Sequence, residues 1–261
     1  MTAKAEGPLA GTRVVVTRAE HQAEELLEAY RRQGADAVPL PLIEVVAPAD
    51  PEPLADAARS VAELAWVAFT SANAVDAFVP LVDGWPRRLR IAAEGRATAD
   101  ALESRGLAAD LVPARADAEG LAAELGRHLA AGETVLLPQA ADARPLLARR
   151  LTEAGFEPRV VVAYDKRLPA DAPARAAELF DHDPLGWVTI TSPRIAGAFA
   201  ALFGEDWPRR RGELRAVSVG AVTSAELRRW GVEPAAEALS PTRDGLVAAT
   251  VAALFGGVGC G

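Results

Sequence analysis

The chain has 261 residues, half of them hydrophobic, with 36 acidic against 28 basic side chains and a net charge of −8. That composition supports a sizeable buried core and excludes disorder, while the acidic excess argues against a broad nucleic-acid-binding face, which needs clustered Lys and Arg to neutralise phosphates. A single cysteine, Cys260, excludes an intrachain disulfide and a Cys-based metal cage.

In chain order, MTAKAEGPLAG lacks an apolar signal core, and no later apolar run approaches the roughly 20 residues of a membrane span, so the expectation is a soluble cytoplasmic protein with no membrane partner. TRVVVTRAEHQAEELLEAYRRQGADAVPL, from Thr12, reads strand, amphipathic helix, Gly34 stop, strand. The Pro-rich APADPEPLADA (47–57) follows, and then WVAFTSANAVDAF (66–78), an apolar strand running into a helix with Ser71 as its N-cap. WPRRLR (85–90) reads as a solvated loop ahead of IAAEGRATADALESRG, a strand, a turn at Gly95 and a helix stopped by Gly106. From Glu133 the pattern begins again. ETVLLPQAADARPLLARRLTEAGFEPRVV matches the first unit, LPADAPARAAE (168–178) matches the first Pro-rich stretch, and WVTITSPRIAGAF (187–199) matches WVAFTSANAVDAF, with Ser192 as N-cap and Pro193 at the first helical position. WPRRRGELR (207–215) is again read as a loop, SVGAVTSAELRRWG repeats the strand, turn and helix, and GGVGCG reads as a frayed tail.

Trp66 and Trp187 lie 121 residues apart (187 minus 66), and Gly34 and Gly155 keep that offset, which drifts to 125 between Gly95 and Gly220. Solenoid repeats span about 20 to 50 residues, so this period marks a duplicated half-protein. Alternating β-branched runs and amphipathic stretches predict two similar α/β lobes with largely parallel sheets. The duplication alone leaves swapped and unswapped halves open.

In open parallel sheets ligands bind beyond the carboxyl ends of strands, where helix N-termini present free N–H groups. Thr17-Arg18, Thr70 to Asn73, Gly95 to Thr98, Thr191 to Arg194 and Gly220 to Thr223 all fall at such turns and offer donors to carboxylates or phosphates. His21, His128 and His182 are scattered, which argues against a metal site or a Ser-His-Asp triad, and neither a Gly-rich dinucleotide fingerprint nor a P-loop occurs. Tyr164 breaks the symmetry: it ends an apolar strand, and its repeat mate is Ile43.

VVVTR, FTSANAV, EGRATADALESRG, the strand ending in Tyr164, ITSPRIAGAF, and SVGAVTSAELRRWG followed by SPTRDGL together resemble the uroporphyrinogen-III synthase family over about residues 9–255. The resemblance implies two lobes that exchange segments, 1–42 with 166–261 and 43–165, with crossings at the Pro-rich stretches. It implies cyclisation of the small molecule hydroxymethylbilane with inversion of the last pyrrole ring through a spiro intermediate, by a monomer that uses no cofactor, no metal and no nucleic acid. Tyr164 matches the family tyrosine that assists departure of the terminal hydroxyl. Ser71, Thr98, Ser192 and Thr223 match its cleft hydroxyls, and Arg18, Asn73, Arg194 and Gly220 are further substrate contacts on the same matching. Glu94 stands where the family has an apolar residue and where Val219 stands in the other half, and Asp165 occupies the place of an expected basic neighbour. A non-catalytic carrier or regulatory relative that clamps a polycarboxylate is the alternative.

Overall fold

The computed structural model describes residues 6–130, 132–180 and 186–256; the expected frayed tail, Cys260 and His182 lie outside them. Among the described residues, ten strands form two five-stranded sheets. The first has the order β10-β9-β8-β1-β2, built from β1 (Arg13–Val16), β2 (Asp36–Pro39), β8 (Gly186–Ile190), β9 (Leu214–Ser218) and β10 (Ala236–Glu237). The second has the order β3-β7-β6-β4-β5, from β3 (Glu44–Val46), β4 (Trp66–Phe69), β5 (Arg90–Ala93), β6 (Thr134–Ala140) and β7 (Glu157–Arg167). Every pairing from β10 across to β2, and from β7 across to β5, is parallel.

The sheet orders resolve the question the duplication left open. β1 and β2, from the first repeat, pair with β8 and β9 from the second, while β4 and β5 pair with β6 and β7. The halves are therefore exchanged, and each sheet contains both. The chain divides into two compact units: residues up to Glu44 with those from Arg167 onward, and Val45–Lys166 between them. The passages at Glu44/Val45 and Lys166/Arg167 lie on β3 and β7, just ahead of the Pro-rich stretches, which themselves turn into helices.

The helices are α1 (Glu20–Arg32), α2 (Glu52–Arg59), α3 (Ala72–Phe78), α4 (Arg96–Glu103), α5 (Ala118–Leu125), α6 (Leu146–Glu153), α7 (Ala172–Phe180), α8 (Pro193–Phe203), α9 (Trp207–Arg210), α10 (Ala221–Arg229) and α11 (Arg243–Gly256). They cover both faces of each sheet, and the strands show why. Parallel strands buried on both sides read as continuous apolar runs whose alternate residues feed two cores. Val67 and Phe69 pack with α2, α3 and α4, whereas Trp66 and Ala68 pack with α5 and α6. In the other unit Val15 joins α7, α8 and α10, while Val14 and Val16 join α1 and α11. Gly106 and Gly231 end α4 and α10 at φ of 76°, a left-handed conformation in which a Cβ would be strained.

The run from Trp207 is not the solvated loop its charge suggests. It forms α9; Trp207 is buried and its indole N–H donates to the Trp230 carbonyl at 3.0 Å. Arg210, with only 13% of its side chain exposed, donates to the Phe180 carbonyl at 2.6 Å. An indole that completes an apolar cluster and a guanidinium with a carbonyl partner outweigh the solvation of two neighbouring arginines. In WPRRLR the last arginine, Arg90, starts β5 and lays its guanidinium 4.8 Å from the Trp66 ring.

Candidate active site

Within the unit that holds β4 to β7, a cavity of about 460 Å³ opens at the carboxyl ends of the strands. Thr70 and Ser71 reach it from the end of β4, Glu94 from β5, Gln139 from β6, and Tyr164 and Lys166 from β7, with Asp117 and Arg144 at its sides. This is where an open parallel sheet places its ligands.

Ser71 holds an extended backbone and caps α3, its Oγ accepting from the Ala74 N–H at 3.2 Å. The same Oγ lies 3.0 Å from the Tyr164 hydroxyl. Tyr164 owes that position to an irregularity in β7. Along the strand Val161 is buried, Val162 is 38% exposed and Ala163 is buried again, so strict alternation would turn Tyr164 outward. Instead the register with β6 slips: Gln139 pairs with Val162 and Ala140 with Tyr164. The extra residue turns the phenol onto the face of Val161 and Ala163, where it is 4% exposed in the core beneath α3. A bulge beside a site re-aims a side chain in this way.

Charges of both signs surround the pair. Lys166 lies with its Nζ 5.5 Å from the centroid of the Tyr164 ring and 3.8 Å from Asp142 Oδ1. The basic neighbour thus stands two residues beyond the tyrosine, while Asp165 accepts from the Lys166 backbone N–H at 2.7 Å and does not line the cavity. Burial pushes the Glu94 carboxyl above the usual carboxylate range, Asp117 pushes it further in the same direction, and Arg144 opposes both.

In the other unit the repeat-related turns carry Arg18 after β1, Ser192 after β8, and Gly220 to Thr223 after β9. Ser192 caps α8 as Ser71 caps α3, accepting from the Ile195 N–H at 3.2 Å. Gly220 precedes α10 as its N-cap, and Arg194, the second residue of α8, is exposed. Arg18 is half-buried and donates to Gln22 Oε1 at 3.2 Å; burial presses its guanidinium below the usual range, with Glu25 opposing. Ser224 is fully buried between Ser218, 2.6 Å away, and the Glu237 carboxylate, which tie the start of α10 to β9 and β10.

Among the sequence-predicted residues, the structure brings Ser71 and Tyr164 together at the cavity. Asn73 is half-buried in the first turn of α3 and does not line it. Thr98 and Thr223 occupy the third positions of α4 and α10 and are only 5% and 3% exposed, so they do not stand at the turns as freely as the two serines. Sequence reasoning missed Gln139, Arg144 and Lys166. The repeat offset holds a signal for Gln139, which lies 121 residues (139 minus 18) after Arg18. Among the described residues no group of three His, Cys, Asp or Glu is disposed to hold a metal, and no helix is long and apolar enough to cross a membrane. His128 packs beside the Trp66 ring at 6.2 Å, and the His21 side chain is outside the described set.

The family model described as "Uroporphyrinogen-III synthase HemD" matches residues 24–248. The uroporphyrinogen-III synthase of Synechococcus elongatus is 29% identical over 255 residues, covering 94% of this chain and 96% of its own. A putative uroporphyrinogen-III synthase of Methanothermobacter thermautotrophicus is 30% identical over 233 residues, covering 84% and 90%. Among solved structures, uroporphyrinogen III synthase from Thermus thermophilus superposes with a TM-score of 0.62 at 20% identity, over 94% of this chain and 100% of that one. The Helicobacter pylori protein does so at 0.63 and 18%, over 92% and 99%. At those identities the likeness of structure concerns the fold.

Proposed function

The chain belongs to the uroporphyrinogen-III synthase family, and from that membership we propose that it closes linear hydroxymethylbilane to uroporphyrinogen III, with inversion of the terminal pyrrole ring. The observation that carries the reading into this chain's own residues is the Tyr164–Ser71 hydroxyl pair at the carboxyl edge of the sheet, inside a cavity with cationic groups. As an elimination of water the reaction makes the protein a lyase, and we take it to act as a cytoplasmic monomer without a cofactor.

The pyrrole nitrogen supplies the push that expels the hydroxyl, so little nucleophilic chemistry falls to the protein. Its tasks are to protonate the departing oxygen and to hold the chain bent, so that the last ring attacks through its substituted carbon to give the spiro intermediate. Tyr164 is the proton source in this scheme, and general acid assistance of this kind contributes about 10²- to 10⁴-fold. In the unit that holds the cavity, Ser71 and Arg144 are donors that the substrate can reach. Caps and helix-start N–H groups bind anions without a large positive field, which suits a protein whose net charge is −8.

The test is the identity of the product. Hydroxymethylbilane generated in a coupled assay and then trapped and separated by isomer should give type III in the presence of the protein, against type I from spontaneous closure. Type I alone would overturn the assignment.

A further inference from the structure

Tyr164 is 4% exposed, its ring packed in the core, and its hydroxyl is directed at Ser71 Oγ, 3.0 Å away. Ser71 is less buried and lines the same cavity. A serine hydroxyl has one proton and two acceptor sites. Accepting from the Ala74 N–H at 3.2 Å fills one of those sites, and accepting from the Tyr164 hydroxyl fills the other. The serine's own proton is then left to point into the cavity. The opposite direction, serine donating to tyrosine, would leave the phenolic proton to find a ligand from the more deeply buried position.

We propose that Ser71 is the group that meets the departing hydroxyl, and that Tyr164 acts through it as the proton reservoir of a two-hydroxyl relay. The proposal rests on the functional reading above and concerns how the proton of that reaction travels. The carbon–oxygen bond of the terminal hydroxymethyl group breaks with its electron pair going to oxygen, which takes the Ser71 proton and leaves as water. Ser71 takes the Tyr164 proton, and a phenolate remains. Lys166, with its Nζ 5.5 Å from the ring centroid, sits where a cation stabilises that phenolate. When the last pyrrole regains aromaticity after ring closure it releases a proton, which returns to the phenolate; the enzyme ends unchanged and the substrate has lost one water. In this arrangement the bulge in β7 has a purpose, since without it the phenol would face away from Ser71.

The experiment measures kcat for type III formation in the wild type, Ser71→Ala, Ser71→Thr, Tyr164→Phe and the double variant Ser71→Ala/Tyr164→Phe. Groups that act as one unit give non-additive losses. The relay predicts that each alanine or phenylalanine single variant loses about a hundredfold or more, and that the double variant is within about threefold of the worse single. Ser71→Thr should recover most of the activity because it keeps both the cap and the hydroxyl. Ser71→Gly, a residue well tolerated at a helix N-cap, serves as the folded stand-in if the alanine variant is unstable, and it should lose activity equally. A solvent-deuterium proton inventory should curve for the wild type and become linear in Tyr164→Phe. Losses that multiply in the double variant, or a Ser71→Gly enzyme within about threefold of wild type, would overturn the relay while type III formation by the wild type left the functional reading intact. A wild-type enzyme yielding only type I would overturn that reading itself.

Discussion

Glu94→Gln removes a cavity carboxylate whose charge its own burial disfavours. Glu94 is half-buried, and burial together with Asp117 raises its pKa above the ordinary value. A carboxyl whose folded pKa is raised contributes its full stability below the unfolded value, about 4.3, and loses it as pH rises through the folded value. At neutral pH the ionised group therefore costs stability that a neutral glutamine does not. Since the group keeps much of its solvent contact, screening holds that cost below about 1 kcal/mol, or about 2–4 °C in Tm at most. Toward substrate, an ionised Glu94 about 8 Å from a ligand carboxylate would repel it by about 2 kcal/mol at an effective dielectric of about 20. Screening halves this, so KM should fall roughly fivefold in the variant with kcat little changed. Melting curves at pH 7.5 and pH 4 provide the stability assay: Glu94→Gln should melt higher at pH 7.5, with the gap closing toward pH 4. A lower Tm at pH 7.5, or a gap that ignores pH, would refute the reasoning about Glu94, and an unchanged or raised KM would refute its opposition to substrate.

Two further outcomes are expected. Ser224→Ala removes the hydroxyl shared by Ser218 and Glu237 in a fully buried site, costing about 1–3 kcal/mol; an unchanged Tm would mean that the network carries no stability. Lys166→Gln removes the cation beside the Tyr164 ring, and if that cation favours the developing phenolate over the neutral phenol by about 1–2 kcal/mol, kcat should fall about 5- to 30-fold, whereas a loss confined to KM would make Lys166 a substrate contact only.

Much of the fold was legible because it is written in local chemistry. Trp66 to Phe69 and Trp187 to Ile190 are apolar runs that two cores divide by alternation, and Ser71 and Ser192 are caps whose geometry follows from residue type. The exchange of halves was not legible from the duplication, because β1 could pair with either copy of its partner strand and only the long-range register decides. Tyr164 stood out by breaking the repeat, yet its direction depends on a bulge at Ala163 of β7, opposite the Gln139–Ala140 step, that no local residue announces; alternation alone would have sent it outward. Thr98 and Thr223, mates of each other in the repeat, looked like cleft hydroxyls beside the serines, but three residues past their cap glycines their side chains face the interior. Trp207 and Arg210 misled through charge, since the aromatic between the basic residues determines where the segment packs.

The most direct measurement of the central claim, that the phenol of β7 drives the chemistry, compares turnover and binding in Tyr164→Phe. Only one hydroxyl is lost and Ser71 keeps its Ala74 N–H, so the fold should weaken by about 1 kcal/mol and the Kd for a tetrapyrrole product analogue should stay within a few-fold. In the same variant, kcat for type III formation should drop by about 10²- to 10⁴-fold. Turnover within a few-fold of wild type, or a Kd that rises in step with a lost activity, would contradict the account.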